Sequence, residues 1–364
     1  MVVIVASSAI LLGLAIFLRS FVELDPEVYG NDFVVFWVAA RVVFEADVLD
    51  LLDVERFAEH LRNVGLSDVH WLYPPHAIAV FLPFGPLPFG TAYLAWSAIG
   101  LAVYALAINA HGGNRWSTLA SVAAPAALLN LLFGQTGFLS TALLVAGLRL
   151  AGARPIVSGV LFGLLSYKPQ LGLVVPFALL ARRQWVEIAA AVVTVAGLVL
   201  CSILMFGTEV WERYFHHLST LSEAPLYNLH SAEVFVGARV AGLGTTSALA
   251  LQIVVSVATI ASAYWALRRV TSERVRLAVV LVGTLLASPH TLAYDMVLAA
   301  AGVIYMTREG LERGFLPGER VALALLWFVP LVIGAAQAHH VPLGAASVAL
   351  MYVLLLARVA KGRA

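Results

Sequence analysis

The chain is a succession of apolar runs separated by short polar connections. A transmembrane helix needs about 20 mainly apolar residues, and runs near that length recur along the sequence. They predict an all-α integral membrane protein, a polytopic helical bundle of about twelve spans. The predicted spans are residues 2–18, 89–109, 117–133, 136–150, 155–167, 169–181, 185–206, 246–267, 276–289, 293–306, 320–337 and 343–357.

Two apolar segments need separate interpretation. Residues 2–18 have no basic segment before them and no small-residue cleavage site after them, so we interpret them as a retained first span rather than a signal peptide. Residues 77–87 are apolar over a stretch too short to cross a bilayer, with Pro86 and Pro88 at its end. Because proline interrupts helices, we predict a re-entrant or interfacial segment there.

The distribution of positive charge sets the predicted orientation. With residues 77–87 re-entrant, 15 of the 22 Lys and Arg residues fall on one side of the membrane. The positive-inside rule makes that side cytoplasmic. Two polar excursions then become a first exterior loop, 21–88, and a second, 207–245. We expect residues 1–364 to form a single transmembrane domain.

The first exterior loop predicts two helices. From Asp32 to Glu45, apolar and aromatic residues recur three and four positions apart, as on one face of a helix. A second helix over roughly residues 51–64 separates apolar from charged positions in the same way. We expect the first helix to lie in the membrane interface, held by aromatic anchors, so that the loop forms an exterior cap of interfacial helices. The anchoring face is Phe33, Phe36, Trp37, Ala40 and Phe44.

Composition excludes several functional classes. Hydrophobic residues make up 61% of the chain and charged residues 12%, against roughly 25% charged in soluble domains. The net charge of +1 and the absence of a basic, aromatic patch give no reason to expect a nucleic-acid partner. Cys201 is the only cysteine, so no disulfide framework and no cysteine-based metal site is predicted.

Other metal signals are weak. The adjacent pairs His216-His217 and His339-His340 point their side chains apart, which does not suit a metal. Glu23 and Asp25 could offer two carboxylates to a divalent cation, but a solvated loop explains them as well. The sequence therefore predicts no metal and no cofactor.

Polar residues gather at the predicted exterior ends of the spans. Ionisable groups at membrane depth are costly and tend to be functional. A site at the exterior leaflet is therefore predicted. Its candidate residues are Asp32, Tyr73, His76, Gln135, Tyr167, Lys168, His290 and Asp295.

Each principal candidate has a competing structural explanation. Asp32 could be a general base, or the N-cap of the helix that follows it. Lys168 could bind a lipid-linked phosphate, or extend to lipid headgroups. His290 and Asp295 could bind phosphate and sugar hydroxyls, or serve a turn and a cap. Gln135 could bind a sugar, or be an ordinary turn residue.

Several motifs together resemble a known family. The first hundred residues contain an Asp in Gly30-Asn31-Asp32-Phe33, then the run Trp71-Leu72-Tyr73-Pro74-Pro75-His76, and then Trp96. The later motifs are Phe133-Gly134-Gln135, Lys168-Pro169 preceded by Gly159 and Gly163, Arg182-Arg183-Gln184-Trp185, and Ser288-Pro289-His290. In order and spacing, from about Asp32 to Asp295, they resemble the polyprenol-phosphate-mannose-dependent mannosyltransferases of glycosyltransferase family 87, which are C-type glycosyltransferases.

The resemblance implies a function and a place for it. It implies a multi-pass enzyme of the cell (inner) membrane whose active site faces the exterior or periplasm. The expected reaction moves a hexose, mannose above all, from a polyprenyl-phosphate donor to a hydroxyl of a lipid or cell-envelope glycan, with inversion. Asp32 matches the family's catalytic Asp and His290 its donor-phosphate histidine. Lys168 is expected to assist at the phosphate.

A transporter or flippase of lipid-linked sugars is the alternative of a different class. Such proteins tend to contain internal repeats and ionisable residues near the bilayer midplane. Here no repeat is evident, and the charged residues cluster at the ends of the predicted spans. The sequence therefore favours the enzyme.

Overall fold

The structure is a computed structural model that describes residues 31–66, 70–109, 115–220 and 228–363. Within these residues the chain is helical, and the one extended pairing is an isolated antiparallel bridge between Ser231 and Leu292. The predicted helical class is therefore confirmed for this part of the chain. The predicted span 2–18 and the acidic residues Glu23 and Asp25 lie outside it.

The described residues form seventeen α-helices. In chain order they are α1 (Asn31–Glu45), α2 (Val54–Arg62), α3 (Ile78–Phe81), α4 (Phe89–Asn109), α5 (Arg115–Val122), α6 (Pro125–Phe133), α7 (Gly137–Leu150), α8 (Pro155–Leu164), α9 (Val175–Ala181), α10 (Trp185–Phe206), α11 (Glu209–Thr220), α12 (Val234–Val240), α13 (Thr245–Leu267), α14 (Glu273–Ala287), α15 (Val297–Arg313), α16 (Glu319–Ala338) and α17 (Leu343–Ala360). Short 3-10 turns adjoin several of them, including Val48–Leu52, Leu165–Tyr167, Pro169–Gly172 and Ala293–Met296.

Five of these helices are long and apolar enough to cross a membrane: α4, α10, α13, α16 and α17. A sixth span results if α5 and α6, which meet at a 49° bend, are one broken span. Each of the five coincides with a span predicted from the sequence. The protein is thus a helical membrane protein, whereas the total of twelve spans stays a prediction.

The segment near residues 77–87 contains a short apolar helical stretch. It runs without a gap through Pro75–Ala77, α3 and Leu82–Phe84, and Pro83, which has no N–H donor, lies in its last turn. About 20 residues are needed to cross a bilayer, so the re-entrant or interfacial interpretation stays the prediction for this segment.

Two compact units make up the fold. The described residues of the first unit are 31–66, 70–102, 128–135 and 198–220, and those of the second are 103–109, 115–127, 136–197 and 228–363.

An aromatic core organises the first unit, and α1 supplies its centre. Phe33 stacks on Trp96 with ring centroids 5.9 Å apart, and Phe36 stacks on Phe81 at 4.3 Å. Residues 33–40 are buried on every side of α1. The aromatic residues are therefore not the only buried face of this helix, because Val and Ala fill the positions between them and make this stretch apolar all round. A location of the helix in the membrane interface stays a prediction. Of the predicted face, Phe44 alone is exposed.

The second unit is built from closely packed helix pairs. Helix α14 packs against α13, α15 and α17, while α7 packs against α8. Small residues allow close approach: a Cβ at Gly159 would lie 2.4 Å from the carbonyl oxygen of Glu187, and one at Gly163 would lie 2.5 Å from the Cβ of Thr194. These glycines allow α8 to pack closely against α10, next to the 3-10 turn Leu165–Tyr167 that leads to Lys168.

A buried ion pair joins α16 and α17. Arg358 donates to both carboxylate oxygens of Glu319, at 3.0 and 2.6 Å, and to the carbonyl oxygen of Gly314 at 2.8 Å. Both side chains are fully buried. Removing one partner of such a pair leaves an uncompensated buried charge.

We expect Arg358→Met to lower the free energy of unfolding by about 3–5 kcal/mol. The exposed neighbour Arg320, replaced in the same way, is the matched control and should have little effect. Thermal melting of the two variants in detergent measures the difference. Equal melting temperatures would contradict a structural role for the pair.

Candidate functional site

Asp32 lies in the first turn of α1 and is half-buried. The helix begins at Asn31, so Asp32 is a helical residue and not the cap that precedes the helix. Gln135 donates a 2.8 Å hydrogen bond from Nε2 to Oδ2 of Asp32. The first unit thus brings together two candidates that are 103 positions apart in the chain.

The turn that carries Gln135 is fixed by side chains of α4. Tyr93 donates a 2.6 Å hydrogen bond to the carbonyl oxygen of Leu131, and Trp96 donates one of 2.8 Å to that of Gly134. Gly134 has φ +65°, in the left-handed region. These contacts explain the Phe133-Gly134-Gln135 motif: a sharp turn next to α1 directs the amide of Gln135 to Asp32.

Gly134 also has no room for a side chain. A Cβ there would lie 2.5 Å from the Cβ of Phe33. We expect Gly134→Ala to destabilise the protein, because left-handed backbone costs about 1–2 kcal/mol for a residue other than glycine and overpacking costs about 1–3 kcal/mol more. Gly207 has φ +79° but open space around it, so Gly207→Ala isolates the backbone cost. The melting temperature should fall further for Gly134→Ala than for Gly207→Ala. Equal falls would show that the predicted clash with Phe33 does not contribute to the loss of stability.

Tyr73 and His76 lie in the aromatic part of the first unit. Tyr73 packs edge-on against Phe36 with centroids 5.2 Å apart. His76 is buried and stacks on Trp211, whose Nε1 donates to Ser202 Oγ at 3.0 Å. Helices α1 and α11 therefore position these two candidates.

Lys168 and Asp295 form a buried ion pair in the second unit. Lys168 Nζ lies 2.5 Å from Asp295 Oδ1, and the two residues are 2% and 0% exposed. The ammonium group also lies 5.5 Å from the ring centroid of Tyr294. Asp295 Oδ2 accepts a hydrogen bond from the N–H of Leu292 at 3.2 Å. Because Lys168 is buried, lipid headgroups are not its main partner. The structure instead pairs Lys168 with Asp295, two residues that no motif in the sequence connects.

His290 lies beside this pair, in the turn between α14 and the helical turn Ala293–Met296. Burial lowers the pKa of its imidazole, the Lys168 cation lowers it further, and Asp295 opposes both. Its Nδ1 is buried and has no hydrogen-bond partner among the described residues. The ring is therefore neutral near pH 7 and can donate one hydrogen bond.

Tyr167 is buried and held from α7. Its hydroxyl lies 2.6 Å from Ser140 Oγ and donates to the carbonyl oxygen of Thr136 at 3.3 Å. These contacts fix the residue immediately before Lys168. Tyr167 thus helps to hold the turn from which Lys168 extends.

Glu233 is a functional candidate that the sequence analysis did not assign. It precedes α12 and is 1% exposed. Its Oε2 accepts a 2.9 Å hydrogen bond from the N–H of Thr291, next to His290. In the sequence, Glu233 is one of several polar residues in the predicted second exterior loop. The one sequence feature that could have identified it is an acidic residue between two apolar residues, in Ala232-Glu233-Val234.

The described candidates therefore fall into two groups, one in each unit. Asp32 and Gln135 are bonded in the first unit, which also holds Tyr73 and His76. The second unit brings Lys168, Asp295 and His290 together, with Tyr167 and Glu233 beside them. The first group offers a carboxylate base, and the second offers a cation and hydrogen-bond donors suited to an anion.

Comparison with known proteins gives one match. The family model described as "Glycosyltransferase family 87" matches residues 71–289, which is more than half of the chain. The matched range contains Tyr73, Gln135 and Lys168, whereas Asp32 lies 39 positions before it and His290 one position after it. No curated protein and no solved structure matches the chain.

Proposed function

Since the chain belongs to glycosyltransferase family 87, we propose that it transfers a hexose, mannose above all, from a polyprenyl-phosphate donor to a hydroxyl of a lipid or cell-envelope glycan. The observation that carries this proposal is the half-buried carboxylate of Asp32, held by Gln135 in the first turn of α1. The proposed location is the cell (inner) membrane, with the site facing the exterior or periplasm.

In the proposed reaction Asp32 is the general base. Its carboxylate takes the proton of the acceptor hydroxyl as the hydroxyl oxygen attacks the anomeric carbon. The bond from that carbon to the phosphate oxygen breaks, and the electron pair leaves with the polyprenyl phosphate. Attack from the face opposite to the leaving group inverts the configuration. The amide of Gln135 donates to Oδ2 of Asp32 and so holds the carboxylate group in a defined orientation.

Lys168 and His290 are proposed to bind the donor phosphate. An ammonium group carries three N–H donors, so the ion pair with Asp295 leaves capacity for a phosphate oxygen. The neutral imidazole of His290 supplies one more donor. Groups placed in advance where negative charge develops lower the barrier most where water is scarce, and the burial of Lys168 provides that environment.

The remaining candidates are proposed to contribute to substrate binding, some of them through Lys168. The half-buried ring of Tyr73 is of the kind that packs against a pyranose ring, while His76, buried against Trp211, and Gln135, beside the base, are proposed to shape the sugar site. Asp295 acts through its ion pair with Lys168, and Tyr167 holds the turn before Lys168. No metal or other cofactor is needed in this proposal, because a phosphate monoester is already a good leaving group.

Transfer of radiolabelled mannose from polyprenyl-phosphate mannose by the purified protein tests the proposal. Labelled product that appears only with protein and a glycolipid acceptor supports the enzyme. Movement of intact donor across liposomes without transfer would instead indicate a flippase and overturn the proposal.

A further inference from the structure

The segment that carries His290 is held from one side by residues 230–233. The N–H of Ala232 donates to the carbonyl oxygen of Thr291, and the N–H of Ala293 donates to that of His230, both at 2.8 Å. These two bonds bracket the antiparallel bridge between Ser231 and Leu292. A third hydrogen bond involves a side chain: the N–H of Thr291 donates to the carboxyl group of Glu233.

Residues 230–233 are themselves anchored to α16. Gln337 donates from Nε2 to the carbonyl oxygens of Leu229 and Ser231, at 3.0 and 2.7 Å. A Cβ at Gly334 would lie 2.7 Å from Nε2 of His230, so residues 230–233 lie directly against α16. The position of Glu233 is therefore fixed by α16 and α12 and does not depend on His290.

The surroundings of Glu233 favour a neutral carboxyl group. Its Oε1 is buried without a hydrogen-bond partner among the described residues. A buried carboxylate that is not fully hydrogen-bonded and has no cation of its own is costly. Lys168, the buried cation beside His290, is already paired with Asp295. Burial accordingly raises the pKa of Glu233 to about 8, and the Asp295 anion raises it further. The backbone N–H groups of Thr291 and Glu233 and the Ser231 hydroxyl oppose this only in part.

We propose that Glu233 is a positioning residue of the donor site, which holds the His290 segment through a protonated carboxyl group and so places no additional anion beside the donor phosphate. The inference rests on the proposed role of His290 at that phosphate. Asp295 is balanced by Lys168, so an ionised Glu233 would be the unbalanced negative charge of the group. Its repulsion would weaken donor binding while leaving acceptor binding unchanged.

Glu233→Gln is the decisive variant because glutamine has the shape of a protonated glutamate and can still accept from the N–H of Thr291. In the natural protein, the KM for polyprenyl-phosphate mannose should rise as the pH passes through about 8. In Glu233→Gln that rise should disappear, and kcat at pH 7 should stay within about twofold of the natural value. Glu233→Ala removes the acceptor and should lower kcat at every pH, by about tenfold if it costs one buried hydrogen bond.

Among titratable groups, Asp295 interacts electrostatically with Glu233, and His290 and Lys168 interact with Asp295 in turn. His230→Gln is the matched control, because His230 lies three positions earlier in residues 230–233 and lies against α16 at Gly334. This variant should keep the alkaline rise in donor KM. If Glu233→Gln keeps the rise, or if His230→Gln loses it, the proposal is wrong.

A measurement without turnover separates this inference from the proposed function. The folded-state pKa of Glu233 is raised, so its contribution to stability is full below about pH 4.5 and is lost as the pH rises to about 8. The melting temperature of Glu233→Gln minus that of the natural protein should therefore increase from pH 5 to pH 8 and then level off. A pH-independent difference would overturn the inference even if sugar transfer is found. If no sugar transfer is found, the proposed function is wrong, but the pH dependence of the melting-temperature difference still tests whether the carboxyl group of Glu233 is protonated.

Binding of farnesyl phosphate in detergent tests whether the charge of Glu233 affects a bound phosphate group. The dissociation constant of this short prenyl phosphate should increase above pH 8 in the natural protein and less so in Glu233→Gln. Identical pH dependence in the two proteins would show that Glu233 does not affect the phosphate and would contradict the proposal.

Discussion

Asp32→Asn is expected to lower kcat by about 10²–10⁴-fold, the usual contribution of a general base. Asparagine keeps the shape of the side chain, and its Oδ1 can still accept from Gln135, so folding should be unaffected. What is lost is the ability to take the proton of the acceptor hydroxyl. Steady-state transfer assays with saturating donor and acceptor measure the change.

Glu59→Gln is the matched control for this substitution. Glu59 lies on α2 of the same unit and is exposed, so it undergoes the same chemical change at a distance from the candidate site. It should retain full activity, and both variants should melt as the natural protein does. Normal turnover by a folded Asp32→Asn protein would remove Asp32 from the mechanism.

Lys168→Met is expected to impair both stability and activity. It leaves Asp295 buried and ionised without its cation, which costs about 3–5 kcal/mol for a buried pair. If Lys168 also binds the donor phosphate, kcat should fall by a further factor on the order of 10²–10³, the usual effect of losing one preorganised donor. Thermal melting and transfer assays measure the two effects separately. Lys361→Met, at an exposed lysine, is the control.

The double variant Lys168→Met with Asp295→Asn separates the two roles of Lys168. Asparagine is neutral and can still accept the hydrogen bond from Leu292, so the double variant should recover most of the lost melting temperature. Its activity should stay low if the ammonium group binds phosphate. Recovery of activity together with stability would show that Lys168 only balances Asp295 and would contradict its proposed catalytic role.

Helix positions followed from the sequence because they depend on local properties. The runs 89–109 and 185–206 predicted α4 and α10 to the residue, since a long apolar stretch without proline has one stable arrangement in a membrane. The environment of α1 was predicted less well. Its 3,4-spaced aromatic residues suggested one anchoring face, but the valines between them are buried too, and only the packing of the first unit shows this.

The residue types of the candidate site also followed from the sequence, whereas their pairing did not. Asp32 and Gln135 were each identified, and so were Lys168 and Asp295. Their hydrogen bonds cross 103 and 127 positions of chain. Periodicity and local motifs extend over one or two turns of a helix and carry no information about such contacts.

By itself, the sequence determined that this is a helical membrane protein with polar residues at the ends of its spans, and its motifs predicted the glycosyltransferase family. These properties reflect hydrocarbon burial and short-range backbone constraints, which each segment satisfies on its own. Only the tertiary structure decided that Lys168 is neutralised by Asp295 and that Glu233 reaches the His290 segment. Charge balance depends on which distant groups share a buried volume, and folding brings those groups together.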